Sequence, residues 1–129
     1  MGQRYLIDTN VLIDYTGGML PENGGDFVEN LFNTDFLTSV VVKIELLGFN
    51  HLPEKLSFVE QFLGTATILP LDDAVTKRTI LLRQRYKKFK LGDSIIAATA
   101  LTYELILITN NIKDFANVKG LKLLNPYQI

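Results

Sequence analysis

The stretch that decides the fold is Tyr5-Leu6-Ile7-Asp8-Thr9-Asn10-Val11-Leu12-Ile13-Asp14. A short apolar run ends abruptly at an acid, and two polar residues then lead into a second apolar segment. This order predicts a strand, a polar turn and a helix that begins near Asn10. Asp8 would lie at the carboxyl end of a first parallel strand, where open α/β sheets bind their ligands. The simpler interpretation is that Asp8 only caps the helix, because Asp is a favoured N-cap residue.

The composition is that of an ordinary globular protein. The chain has 129 residues, of which 47% are apolar and 21% are charged, so we expect a single domain that spans residues 1–129. Cysteine is absent, which excludes disulfides and thiolate metal sites and fits a reducing compartment. No segment has the apolar length of a membrane span or a signal peptide. We therefore expect a cytoplasmic protein that does not bind membranes.

Strand and helix patterns alternate along the rest of the chain. Further strands are predicted at residues 36–38, 66–69, 106–108 and 121–124. Helices are predicted around residues 27–32, at residues 40–49, 53–63 and 72–90, and up to residue 101 with Asp93 in the first turn, whereas glycines place residues 17–25 in a loop. Alternating strands and helices predict an α/β fold, a three-layer α/β/α sandwich with a mainly parallel central sheet.

The predicted helix at residues 40–49 contains an acid among apolar residues. It is apolar almost all round, so we expect it to be largely buried. Glu45 stands between Val42 and Leu46, where a carboxylate costs stability unless it is paired or binds a metal. The simpler interpretation is a narrow solvated stripe that Glu45 shares with Lys43.

Positive charge is concentrated in one part of the chain. The formal net charge is −1, which gives no global sign of nucleic-acid binding. Seven of the 13 basic residues nevertheless fall in one window without acids: Lys77, Arg78, Arg83, Arg85, Lys87, Lys88 and Lys90. The simplest interpretation of this window is a solvated helix face.

Four acids follow predicted strands or stand in helices just beyond a strand or loop: Asp8, Glu45, Asp93 and Asp114. In an α/β sandwich such positions can converge at one edge of the sheet. Carboxylates that share a small site raise one another's pKa values unless a cation neutralises them. A site built from carboxylate oxygens alone suits Mg²⁺ or Mn²⁺. The simpler interpretation of Asp93, again, is a helix cap.

Four segments, which together span nearly the whole chain, resemble those of the PIN-domain ribonucleases of the VapC-like toxin type. They are LIDTNVLID at residues 6–14, ELLG at residues 45–48, GDSIIAATA at residues 92–100 and LITNNIKDF at residues 107–115. Each segment alone is a weak signal, but the four occur in the order and spacing of the family. The resemblance implies a Mg²⁺- or Mn²⁺-dependent endoribonuclease that hydrolyses RNA phosphodiester bonds.

The resemblance also implies roles for individual residues. Asp8 and Asp93 match the metal-binding acids, and Glu45 matches the acid of the second motif, which would share the metal or orient the attacking water. Asp114 matches the acid of the last motif. In relatives with a shorter last motif that acid stands two residues after the threonine, where this chain has Asn111.

Polar and basic side chains would complete the site. Asn10 and Thr109 would support the carboxylates or the water. Arg83, Arg85 and Lys87 would contact RNA phosphates, which position a substrate without reading its bases. These assignments make the basic window a candidate RNA-binding surface.

Proteins of this type are held by a cognate antitoxin and form homodimers, so the resemblance implies both partners besides RNA. Apolar stripes at residues 27–32 and 59–63 could supply the contact surfaces, or they could simply pack on the sheet.

Three other functions share features with this sequence. A catalytically silent PIN-like module for RNA binding or scaffolding is the main alternative, and cleavage by purified protein would distinguish it. A phosphatase of the haloacid dehalogenase type needs a second acid two residues after Asp8, where this chain has Asn10. A receiver domain needs an acidic pair at the end of the first strand, and that pair is missing.

Overall fold

The computed structural model describes residues 2–129, in which short parallel strands alternate with helices. The strands are β1 Tyr5–Ile7, β2 Leu37–Ser39, β3 Thr67–Leu69, β4 Ile106–Ile108 and β5 Leu123–Leu124. The helices are α1 Thr9–Thr16, α2 Glu22–Thr34, α3 Val40–Leu47, α4 Pro53–Leu63, α5 Asp73–Arg85, α6 Leu91–Thr102 and α7 Ile112–Phe115. The predicted order of strands and helices is confirmed.

The strands form two parallel ladders that lie side by side. In one ladder β4 lies between β1 and β5, and in the other β2 pairs with β3. The Thr38 hydroxyl of β2 donates a buried hydrogen bond of 2.8 Å to the Ile7 carbonyl of β1, which joins the ladders. The predicted α/β fold with a parallel central sheet is therefore confirmed.

The core lies around β1 and β4, the two neighbouring central strands. Leu6, Ile7, Leu107 and Ile108 are fully buried, as expected for strands covered on both faces. Helix α6 is buried from Ser94 to Ala100, because its alanines allow close packing against α5 and α3.

The glycine-rich loop predicted at residues 17–25 is shorter than expected. Gly18 has a positive φ of 71° and lies in the connection, but Gly24 and Gly25 are inside α2. A Cβ atom on Gly24 would lie 1.8 Å from the Pro126 carbonyl oxygen. Gly24 is therefore needed for the contact between α2 and the C-terminal tail and not for a turn.

The prediction that helix 40–49 is largely buried was wrong. Helix α3 ends at Leu47, and its fully buried side chains are Val42 and Leu46. Ile44 is 65% exposed and Phe49, just beyond the helix, is 60% exposed. The reason is that α3 packs against α1, α4 and α6 and leaves its other side, with Glu45, facing solvent.

The helix predicted at residues 72–90 ends five residues early, at Arg85. Tyr86 leaves the helical region with φ −113° and ψ 89°, and a turn follows at Lys87 and Lys88. The turn lets Phe89 pack edge-on against Phe115, with ring centroids 6.0 Å apart. The start of the helix is as predicted, because the Asp72 carboxylate accepts a hydrogen bond from the Val75 backbone N–H.

The two apolar stripes pack inward. Val28, Leu31, Val59 and Leu63 are buried. Between the two helices the rings of Tyr15, Phe32, Phe36 and Phe62 form one aromatic cluster. These stripes therefore do not supply contact surfaces for partners.

Within residues 2–129, no helix has both the length and the apolar character required to cross a membrane.

The adjacent glycines of α2 give a matched test of the packing against the tail. Gly24→Ala should lower the free energy of unfolding by roughly 1–3 kcal/mol, because the new methyl group overlaps the Pro126 backbone. Gly25→Ala should raise it by about 0.5–1 kcal/mol, because alanine favours the helix and its Cβ would meet only Leu20 at 3.9 Å. Urea denaturation measures both changes. Effects of the same sign would contradict the proposed role of Gly24.

Candidate active site

Asp8 lies directly after β1, is 5% exposed and caps α1. Its Oδ1 atom accepts a hydrogen bond of 2.8 Å from the Thr9 backbone N–H. Its Oδ2 atom accepts one of 2.8 Å from the hydroxyl of Thr109, the residue that follows β4. The capping interpretation of Asp8 is thus correct, and the cap also fixes the carboxylate at the carboxyl edge of the two central strands.

Hydrogen bonds extend from Asp8 in both directions. On one side, the Thr9 hydroxyl donates to Glu45 Oε1 at 2.7 Å. On the other side, the Thr109 hydroxyl oxygen accepts from the Asn111 backbone N–H at 2.9 Å, and the Asn111 side-chain amide donates to Asp114 Oδ2 at 3.0 Å. One continuous chain of hydrogen bonds therefore joins three of the four predicted acids.

Asp93, the fourth acid, faces the other three from the first turn of α6. Its pKa is raised to about 6: burial is the largest cause, the charges of Asp8, Asp114 and Glu45 add to it, and the charge of Lys90 opposes them. Its neighbour Gly92 lies close to the second motif, because a Cβ atom there would be 3.6 Å from Glu45 Oε2. The four carboxylates thus share one electrostatic site.

The pKa of Asp8 is also raised. Burial is the largest cause, the hydrogen bonds from Thr109 and Thr9 oppose it, and the charge of Glu45 adds to it. Both Asp8 and Asp93 are therefore harder to ionise than an exposed aspartate. A bound cation would reverse this effect by favouring their charged forms.

The donor atoms suit a hard divalent cation, although they do not form a finished cage. All four acids offer carboxylate oxygens, the ligands that Mg²⁺ and Mn²⁺ prefer. Within residues 2–129, however, no three Asp, Glu or His side chains are grouped closely enough to hold one ion. The site fits such an ion in its chemistry, and the ion would have to draw the carboxylates closer together.

The remaining predicted residues lie around this centre. Asn10 is exposed on α1 and lies outside the chain of hydrogen bonds. Arg83 Nη1 donates to the Phe89 carbonyl at 3.0 Å, and the Arg85 guanidinium lies 5.7 Å from the centre of the Tyr86 ring. Both arginines therefore support the turn after α5.

Two features of the site were not predicted from the sequence. Thr9 bridges Asp8 and Glu45, and its place directly after Asp8 was the only signal for this role. A pocket of about 390 Å³ opens beside Asp93 and Asp114, and Lys87 and Asn117 contribute to its lining. Nothing in the sequence pattern marked Asn117.

Comparisons with known proteins identify similar chains. The chain is 27% identical over 125 residues to Ribonuclease VapC1 from Rickettsia felis, and the match covers 92% of this chain and 93% of the relative. A chain of a toxin-antitoxin complex from Klebsiella pneumoniae is 31% identical, superimposes with a TM-score of 0.78, and is matched over 97% of this chain and 99% of that one.

A second solved structure shares the fold. It is the structure of VapBC2 from Rickettsia felis bound to a DNA fragment from its promoter. One chain of it is 24% identical to this chain and superimposes with a TM-score of 0.81. The match covers 95% of this chain and 98% of that one. The PIN domain itself matches residues 5–121, which include all four acids. This chain belongs to the PIN domain family.

Proposed function

We propose that this protein is a Mg²⁺- or Mn²⁺-dependent endoribonuclease that hydrolyses RNA phosphodiester bonds and acts as the toxin of a toxin–antitoxin pair. The observation that carries the proposal is the convergence of four carboxylates: one chain of hydrogen bonds joins Glu45, Asp8 and Asp114, and Asp93 lies near enough that their charges add to the effect of burial on its pKa. Such a concentration of carboxylates is costly unless it serves to bind a cation. The ribonuclease name of the Rickettsia felis relative supports the reaction.

Asp8 and Asp93 would hold the metal ion, with Glu45 as a third ligand or as the group that orients the water. When bound, Mg²⁺ or Mn²⁺ supplies charge neutralisation at the phosphate and lowers the pKa of the attacking water. Thr109 and Thr9 keep both oxygens of Asp8 in place, so that the carboxylate is positioned in advance.

Glu45 is placed to orient the attacking water. Its Oε1 atom accepts the Thr9 hydroxyl, and its exposed side chain leaves Oε2 available to the water. Asp114 would complete the acidic edge, because Asn111 donates to it and thus supports the acid instead of replacing it.

A catalytically silent module for RNA binding or scaffolding is the second candidate. What favours it is that, in the described part of the chain, the carboxylates are not already grouped as a metal cage. Cleavage of RNA by the purified protein would decide between the two functions.

The proposed partners are a cognate antitoxin and a second copy of this chain, in the cytoplasm where RNA is available. The structural neighbour from Klebsiella pneumoniae is a toxin-antitoxin complex. Ile44, Phe49 and Leu52 are exposed along α3 and the connection to α4, and they offer an apolar surface for the antitoxin.

Replacing the first acid tests the proposed chemistry. Asp8→Asn should keep the fold, because the amide can still cap α1. It should lower Mg²⁺-dependent cleavage of a labelled RNA by at least roughly 100-fold, because a neutral amide is a poor ligand for a hard cation. Asp26→Asn, on the exposed face of α2, is the control that should cleave normally. Full cleavage by Asp8→Asn, or by wild type in excess chelator, would refute the metal mechanism.

The raised pKa of Asp93 predicts how the free energy of unfolding depends on pH in the absence of metal. The pKa of Asp93 is raised from 3.8 to about 6 in the folded state, so the folded state holds more protons between these values. Stability should therefore fall as pH rises through this window. Asp93→Asn removes the effect and should raise the free energy of unfolding at pH 7.5 by roughly 1 kcal/mol, a value discounted because the side chain is half exposed.

Urea denaturation of wild type and Asp93→Asn from pH 4 to pH 8 in EDTA measures this difference. The two proteins should converge near pH 4, where Asp93 is protonated. Adding Mg²⁺ at pH 7.5 should then stabilise wild type more than the variant, because the ion binds the folded state. A difference that stays constant across the pH range would contradict the electrostatic explanation.

The apolar surface gives a prediction about the antitoxin. Leu52 is 78% exposed and Met19, in the connection between α1 and α2, is 71% exposed. Leu52→Glu should abolish co-purification with the product of an adjacent small antitoxin gene, whereas Met19→Glu should not. Co-expression and affinity capture, with light scattering for oligomeric state, measure both. If neither substitution affects capture, the α3–α4 surface is not the binding site.

A further inference from the structure

The pocket beside the acids is bounded by two segments in which Asp114 is the one residue that the proposed mechanism uses. One is the turn after α5, residues 86–90, and the other runs from α7 to Val118. Asp93 and Asp114 form part of the same wall. Any group that occupies this pocket of about 390 Å³ therefore lies next to the proposed cleavage centre.

The pocket carries an excess of positive charge. Its lining contains Lys87, Lys88, Lys90 and Lys113 against only two carboxylates. Among residues 2–129 the salt bridge is the one between Arg4 and Asp35, so these lysines form no salt bridge with the acids described, although the charge of Lys90 acts on Asp93. Unpaired lysines around a cavity favour an anionic ligand such as a phosphate.

The lining of the pocket also contains two aromatic rings and an amide. The rings of Tyr86 and Phe89 meet at 85° with centroids 6.2 Å apart, and the exposed Asn117 side chain can both donate and accept hydrogen bonds. Aromatic rings in such a site stack against nucleobases. Phosphate, ring and amide contacts together match the parts of a nucleotide.

The walls of the pocket are held in place by hydrogen bonds. The Tyr86 hydroxyl accepts a bond of 3.1 Å from the Lys119 backbone N–H, which ties the turn to the segment after α7. Arg83 donates to the Phe89 carbonyl and fixes the other end of the turn. A pocket fixed in this way loses little conformational entropy when a ligand binds.

We propose that this pocket binds one single-stranded nucleotide of the substrate, adjacent to the phosphate that is cleaved. Lys87 and Lys88 contact the backbone phosphate, and Asn117 contacts the base edge. The volume lies in the lower part of the range for small-ligand sites and accommodates a splayed-out base instead of a duplex. This inference rests on the proposed function in one respect, the reaction that the neighbouring acids perform.

Binding without cleavage tests the pocket separately from catalysis. The probe is a fluorescein-labelled, mixed-sequence RNA 12-mer, titrated with the full-length protein in EDTA at several salt concentrations. The double variant Lys87→Ala/Lys88→Ala should bind about tenfold more weakly, and its salt slope should be smaller by about 1.4 for two lost phosphate contacts. Lys77→Ala/Arg78→Ala, which removes the same charge from the exposed face of α5, should cost less than threefold.

A loss of equal size in the two double variants would overturn the inference, because general charge attraction would then explain binding. An equal loss for a 12-base-pair RNA duplex would overturn it as well. A DNA 12-mer distinguishes the two sources of a single strand: an equal response assigns the pocket to nucleotides in general, and a weaker one assigns it to RNA.

Asn117→Ala tests the contact with the base. It should change the relative affinities for rA12, rC12 and rU12 by about fivefold, while the melting temperature and the salt slope stay as in wild type. Unchanged relative affinities would remove Asn117 from the site. If wild type cleaves no RNA although the pocket variants lose binding, the proposed function fails and the nucleotide site stands. If wild type cleaves RNA and the pocket variants bind it normally, the nucleotide site fails and the proposed function stands.

Discussion

The parallel pairing of β1 with β4 is the constraint on which the site depends. Ile7 stands opposite Ile108, so the two strands end together and the next residues, Asp8 and Thr109, meet at the same edge. The hydrogen bond between them spans 101 positions of sequence and exists only when this register is correct. A slip by one residue would move the side chains of one strand to the opposite face of the sheet and separate the pair. Core packing and site geometry are therefore fixed by one and the same pairing.

The cost of the site is electrostatic, and the fold offsets part of it locally. Burial and like charge raise the pKa values of Asp8 and Asp93, which destabilises their charged forms. Thr9 and Thr109 donate hydrogen bonds to Asp8 and act in the opposite direction. At Asp93, the charge of Lys90 is the one effect that lowers the pKa. Most of the uncompensated electrostatic cost therefore remains at Asp93. A cation would relieve the most strain at this carboxylate.

Local sequence patterns predicted much of the fold but less of the site's surroundings. The strands β1 and β4, the cap at Asp8 and the start of α5 depend on neighbouring residues, and these predictions were correct. The burial of α3 could not be predicted, because it depends on which helices cover it. The place of Gly24 within α2 follows from a contact with Pro126, which lies 102 positions away and leaves no mark in the local pattern.

The early end of α5 shows how such a long-range contact creates function. A continuous helix through residue 90 would carry its lysines along one solvated face, as the sequence alone suggests. Instead Tyr86 binds the Lys119 backbone and Phe89 packs on Phe115, so the chain turns toward α7. The turn brings Lys87 and Lys88 from the helix axis to the rim of a pocket shared with Asp93. Two aromatic residues thus convert a charged helix end into one wall of the proposed substrate site.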